Sequence, residues 1–163
     1  MRFGKLNKVD IANGTGVRVS LFVSGCRIHC PGCFNKEAQS FEYGQKFTFS
    51  TLLEIFDALA PDHIVGLTVL GGEPLDDDNI QTVKMILRKV KEKYPSKSIW
   101  VYTGYRFENF KHMPIMNYID VLVDGPFIEA QKDITLKFRG SRNQRIIDVQ
   151  ASRKSNTVIL REV

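Results

Sequence analysis

A chain of 163 residues, 43% hydrophobic and 25% charged, can bury one sizeable core and is too apolar for a disordered tail. Its net charge of +5 is scattered, and there is neither a recognised nucleic-acid-binding module nor a roughly 20-residue apolar span, so neither nucleic acid nor a membrane is an expected partner. The opening Met-Arg-Phe-Gly-Lys-Leu-Asn-Lys lacks a secretory apolar core, and clustered thiols suit a reducing compartment, so a cytoplasmic location is expected.

Val17 to Ser24 alternates apolar and polar residues before turning apolar, which predicts a strand running straight into the cysteines. Gly14-Thr15-Gly16-Val17-Arg18 reads as the turn before it. Ser50 is the expected N-cap of a helix with Leu52, Leu53, Ile55, Phe56 and Leu59 at helical spacing. Ile64 to Leu70 predicts a strand ending at Gly71-Gly72. Asp76 to Asp78 are expected to open a long amphipathic helix carrying Ile80, Val83, Ile86, Leu87 and Val90, their acidity suiting its positive end.

Tyr94-Pro95-Ser96 stops that helix, and Ser98 to Thr103 predicts the next strand. A short helical stretch around Phe107 to Lys111 precedes a strand at Ile119 to Val123. Late strands are expected at Gln144 to Gln150 and Thr157 to Glu162. Strands alternating with helices imply parallel strands joined by crossovers. Glycines and polar residues recur where strands end, at the edge where α/β folds build sites. The chain is too short for an eight-fold barrel, so an open or partial one is expected. Lys84, Arg88, Lys89, Lys91 and Lys93 read as a solvated helix face, whereas Lys137, Arg139, Arg142 and Arg145 form a denser basic loop suited to an anionic partner.

All the cysteines fall in one run, Cys26-Arg27-Ile28-His29-Cys30-Pro31-Gly32-Cys33. An odd number at this spacing is poorly placed for unstrained disulfides. Clustered thiolates suit an iron–sulfur centre or zinc. Structural zinc takes four ligands, so a zinc site would borrow one, with His29 the candidate inside the loop. A cluster on three thiolates instead leaves one iron free to bind a reactant. On ligand count both stay open, as does a metal-free loop.

The Cys-x3-Cys-x2-Cys loop after a first strand resembles the cluster loop of the radical S-adenosylmethionine superfamily, and Gly71-Gly72-Glu73-Pro74 resembles that superfamily's second motif. More narrowly, the segments Cys30 to Asn35, Trp100 to Tyr105, Asp120 to Phe127 and Phe138 to Arg145 resemble the anaerobic ribonucleoside-triphosphate reductase activating proteins. Gly14 to Arg18 is similar to the glycine-rich opening of glycyl-radical activases. Gly32 stands where many superfamily members carry an aromatic residue, a departure that favours this branch.

The resemblance implies an α/β fold, an open partial (β/α) barrel of mostly parallel strands with crossover helices, forming one radical S-adenosylmethionine domain over residues 1–163. It implies a 4Fe–4S cluster on Cys26, Cys30 and Cys33. S-adenosylmethionine would then lie along Gly32, Cys33, Phe34, Gly71, Gly72 and Glu73, with Thr103 and Asp124 toward its ribose or methionine part. Trp100, Tyr102 and Tyr105 are adenine candidates, though aromatic residues beside a buried strand also serve as core. The implied reaction is reductive cleavage of S-adenosylmethionine, the 5′-deoxyadenosyl radical then generating a glycyl radical on the reductase, with no protein acid or base. Implied partners are the reductase's large subunit and an electron donor such as flavodoxin or ferredoxin. A pyruvate formate-lyase activase, a 7-carboxy-7-deazaguanine synthase and a zinc-stabilised binding module are the competing readings.

Overall fold

Successive residues of a strand face opposite sides of a sheet, and here that alternation separates an apolar face from a polar one. The computed structural model describes residues 1–163. Its strands are β1 (Arg2–Asp10), β2 (Val17–Val23), β3 (Gln45–Lys46), β4 (Ile64–Gly71), β5 (Ser98–Tyr102), β6 (Val121–Asp124) and β7 (Arg145–Asp148). Its helices are α1 (Phe49–Leu59), α2 (Ile80–Lys93), α3 (Phe107–Phe110) and α4 (Val149–Ser155). All strands join one sheet in the order β3-β1-β2-β4-β5-β6-β7. The central β2, β4, β5 and β6 run parallel, and the flanking β1, β3 and β7 pair antiparallel. No helix is long and apolar enough to cross a membrane.

One face packs Val19, Leu21, Val23, Leu67, Val69, Ile99, Val101, Leu122 and Ile147 into a continuous core with Leu52, Ile55 and Leu59 of α1 and Val83, Ile86, Leu87 and Val90 of α2. Each such side chain contributes on the order of 1.5–3 kcal/mol by leaving water. The other face carries Arg18, Ser20, Thr68, Trp100, Val121, Val123 and Ile146, all buried. Arg18 crosses three strands there: its Nε donates to Thr68 Oγ1 at 2.7 Å, and its Nη2 donates to the Leu67 and Ser98 carbonyls, each at 2.9 Å. Burial pulls its pKa down to about 10, and those acceptors with the Trp100 ring 5.5 Å away hold the charge in place. Gly66 makes the room, since a Cβ there would lie 1.9 Å from the Ser98 carbonyl oxygen.

Several boundaries differ from the sequence expectation. Thr48, not Ser50, caps α1, because Thr48 is extended and forms a capping box with Thr51. Asp76 to Asp78 do not form the first turn of α2, which starts at Ile80. They lie in the preceding turns, where the Asp76 carbonyl accepts from the Asn79 and Ile80 amides. β7 ends at Asp148, whose carboxylate caps α4 by accepting from the Ala151 amide at 2.9 Å, so Gln150 is helical. Thr157 to Glu162 forms no strand and makes only one isolated bridge, Leu160 to Ile147.

Candidate functional site

β2 and β4 are parallel neighbours whose last residues, Val23 and Gly71, stand side by side. The chain beyond each therefore emerges at the same edge, which places the cysteine loop against Gly71-Gly72-Glu73. Their stems are joined directly: the Gly72 amide donates to the Val23 carbonyl at 2.7 Å and the Glu73 amide to the Gly25 carbonyl at 2.8 Å. A Cβ on Gly72 would come within 2.6 Å of the Gly25 oxygen and 2.7 Å of the Ala38 oxygen. The close approach that Gly72 permits is thus to the cysteine stem's own backbone.

Asn79, itself buried, fastens the same junction. Its side-chain amide donates to the carbonyls of Ser24 (3.0 Å), Gly25 (3.4 Å) and Glu73 (3.0 Å). Arg27, between the first two cysteines, reaches back to Asp76 and to Asp78, the latter at 2.5 Å, and lies 4.6 Å from the centroid of the Phe41 ring. The aspartates expected to serve the α2 dipole therefore hold the cysteine loop. Neither Asn79 nor Arg27 stood out in the sequence. The only signals were a cation inside the cysteine run and a patch of three acids after the glycine motif.

Above this junction lies a cavity of about 610 Å³ lined by Cys26, Cys30, Cys33, Phe34, Gly71, Gly72, Glu73, Tyr102 and Thr103, among others. The thiols are free and half-buried, and burial pushes that of Cys26 above its ordinary range. Glu73 is buried and accepts from the Leu75 amide (2.9 Å), Thr103 Oγ1 (2.7 Å) and the Gly104 amide (2.8 Å). Burial pushes its pKa up to about 7 against the pull of those donors. Its carboxylate thereby ties the β4 end to the β5 end.

Gly32 and Asp124 are not among the lining residues. Gly32 turns the loop at φ +73°, beside the Glu129 carboxylate. Asp124 shares the parity of Leu122, so its side chain faces the helix layer, where it accepts from Arg145 and from the Phe107 amide. Its successor Gly125 reaches the cavity instead. Of the aromatic candidates, Tyr102 lines the cavity, whereas Trp100 is buried beside Arg18 and Phe138, and Tyr105 packs on Phe110. His29 is exposed at φ +52° and does not line the cavity.

The segment from Gly125 to Gln144 forms the facing wall through Phe127, Lys132, Leu136, Phe138 and Arg139. The basic run expected to meet a partner is largely spent within the fold. Arg145 pairs with Asp124 and Glu108, Arg142 with Asp133 at 3.1 Å, Arg139 donates to the Gln144 carbonyl, and Lys137 to that of Val163.

The donor set fits an iron–sulfur cluster. Three free thiols line one cavity, and a cluster takes each thiolate on a different iron. Two buried polar atoms of lining residues, Tyr102 Oη and Arg139 Nε, have no hydrogen-bond partner, which suits a polar molecule beside the thiols.

The pattern of the family described as "4Fe-4S single cluster domain" matches residues 12–147. An anaerobic ribonucleoside-triphosphate reductase-activating protein of Enterobacteria phage T4 is 38% identical over 148 residues, covering 90% of this chain and 93% of the relative. The like-named protein of Salmonella typhi is 41% identical over 152 residues, covering 88% and 96%. That of Escherichia coli K12 is 39% identical over 148 residues, with the same coverage. The chain belongs to the anaerobic ribonucleoside-triphosphate reductase-activating protein family. Within the stretch matched by the 4Fe-4S pattern lie all the cysteines, the Gly71–Glu73 loop and the facing wall, so the family signature and the cavity coincide.

Proposed function

We propose that this chain activates an anaerobic ribonucleoside-triphosphate reductase by generating a glycyl radical on its large subunit. The observation that carries the reading is the meeting of three free thiols and the Gly71-Gly72-Glu73 loop on one cavity, in a chain about 40% identical to named activating proteins. A 4Fe–4S cluster held by Cys26, Cys30 and Cys33 would supply one electron to the sulfonium of S-adenosylmethionine, giving methionine and a 5′-deoxyadenosyl radical able to abstract hydrogen from glycine.

The chain's own residues bind, orient and exclude water. Gly71 and Gly72 line the cavity with the thiols, and Glu73 sets the spacing of the β4 and β5 ends through Thr103 and Gly104. Tyr102 Oη and Arg139 Nε, buried without partners on lining residues, would be available to acceptors on a bound cofactor. Phe34 packs on Phe127 with ring centroids 5.0 Å apart, closing one flank, and exposed Ile134 marks the mouth. Strands β2, β4, β5 and β6 with their crossover helices support reading residues 1–163 as one shortened, open (β/α) barrel of the radical S-adenosylmethionine type. An electron donor such as flavodoxin or ferredoxin and a cytoplasmic location complete the proposal.

The test mixes anaerobically reconstituted chain, S-adenosylmethionine and a reductant with the reductase large subunit. A glycyl radical in the electron paramagnetic resonance spectrum and release of 5′-deoxyadenosine are expected. Protein that carries zinc, or holds a cluster without cleaving the cofactor, overturns the reading.

A further inference from the structure

A second cavity, of about 740 Å³, lies between α3 and α4 and shares no lining residue with the thiol cavity. Only two of its eleven lining residues are apolar. Lys111 and His112 come from the segment after α3; Arg153 and Lys154 come from the last turn of α4. None of these four side chains makes a hydrogen bond within the fold, and none has a carboxylate within ion-pair distance.

The acids around them are already committed. Glu108, the sole acid on the wall, receives two guanidinium hydrogen bonds from Arg145, at 3.0 and 2.8 Å. Asp120 is paired with Lys91 at 2.7 Å, and Asp148 caps α4 while facing Arg161. The permanent charges of Lys111, Arg153 and Lys154 are therefore left without local compensation. Such charges repel one another, and a bound polyanion relieves that repulsion. Cations in the last turn of a helix favour its negative end, but no hydrogen bond ties Arg153 or Lys154 to the α4 carbonyls. At the rim Asn156 turns the chain at φ +56° with its side-chain amide unengaged.

We propose that this cavity binds a polyphosphate, either free or as the phosphate tail of a nucleotide. Its volume lies in the range of small-molecule sites, and its polar lining excludes an apolar ligand. Cations on two separate elements suit a chain of phosphates spanning between them. The proposal is independent of the thiol cavity and of the radical chemistry.

The test is calorimetric titration of the reconstituted full chain, at low salt, with tripolyphosphate, ATP and adenosine in turn. Saturable binding of tripolyphosphate and ATP is expected, without binding of adenosine. Lys111→Ala combined with Arg153→Ala weakens it roughly tenfold or more, through loss of two charge-assisted contacts. Lys84→Ala on α2 leaves it unchanged. Circular dichroism checks that the double variant, at two half-buried positions, keeps its fold. Equal affinity for tripolyphosphate and ATP assigns recognition to the phosphate chain alone; tighter ATP binding adds a contact to the nucleoside. The proposal falls if no saturable heat is seen with tripolyphosphate or ATP, or if the double variant binds as wild type does.

Discussion

From Cys26 to Lys36 the backbone makes one hydrogen bond of its own, Cys33 to Cys30, and most residues are exposed. From Gly72 to Asn79, five of eight residues are buried, the Glu73 and Asn79 side chains each answer several backbone groups, and that of Asp76 accepts from the Asp78 amide. The two segments meet at their stems yet differ in what holds them. The second is finished by the polypeptide, so its shape is fixed before any ligand arrives. The first is anchored at its base, by Arg27 and by Phe34 on Phe127; on the proposed function, a metal centre on its free thiols would order the rest, its binding energy becoming folding energy.

The contrast is broken most directly at Asn79. Asn79→Ala strips donors from three buried carbonyls and is expected to cost about 2–3 kcal/mol, read by urea unfolding of the metal-free chain. A loss below roughly 0.5 kcal/mol shows that the glycine loop is held by something else. Glu73 sharpens it through pH. An acid raised from 4.5 to about 7 keeps its proton longer folded than unfolded, so unfolding releases a proton between those values. The contribution of Glu73 to the stability of the metal-free chain is therefore full below pH 4.5, falls as pH rises through about 7, and levels off above. Glu73→Gln flattens that slope, and an unchanged slope counts against a buried protonated Glu73. The smallest effect on stability is expected at the cysteines. Cys33→Ser shifts metal-free unfolding by less than about 0.5 kcal/mol, yet the reconstituted protein loses most of its iron and sulfide. A large stability loss without metal shows that the cysteine loop is pre-built too.

The sequence made the centre of the sheet readable. β2, β4, β5 and β6 are buried, β-branched runs next to glycines, and α2 repeats its apolar residues at helical spacing. β1 escaped because Arg2 to Asp10 interleaves Lys5, Asn7 and Lys8 with few apolar residues, and two β-bulges disturb its register. β3 is two residues long and has no pattern to show. α4 read as the continuation of a strand because Ile146, Ile147 and Val149 are β-branched, and only the Asp148 cap decides otherwise. At the site, the cysteines and Gly71 to Glu73 announce themselves by type and spacing. Asp124 misled because strand parity, invisible without the sheet register, turns it toward Arg145. The buried Arg18 looked like an ordinary polar position in an alternating strand; only the closed second face of the sheet makes it interior.

The tail beyond Thr157 has an effect on how this molecule meets others. The Asp148 amide donates to the Ile159 carbonyl and the Arg161 amide to the Ile146 carbonyl, so the outer rim of β7 is already clothed. The opposite rim is β3, whose brevity and Lys46 make it a poor template. The β7 margin therefore does not invite a visiting chain to add itself as a further strand, whereas β3 covers only Arg2 and Phe3 of the β1 edge.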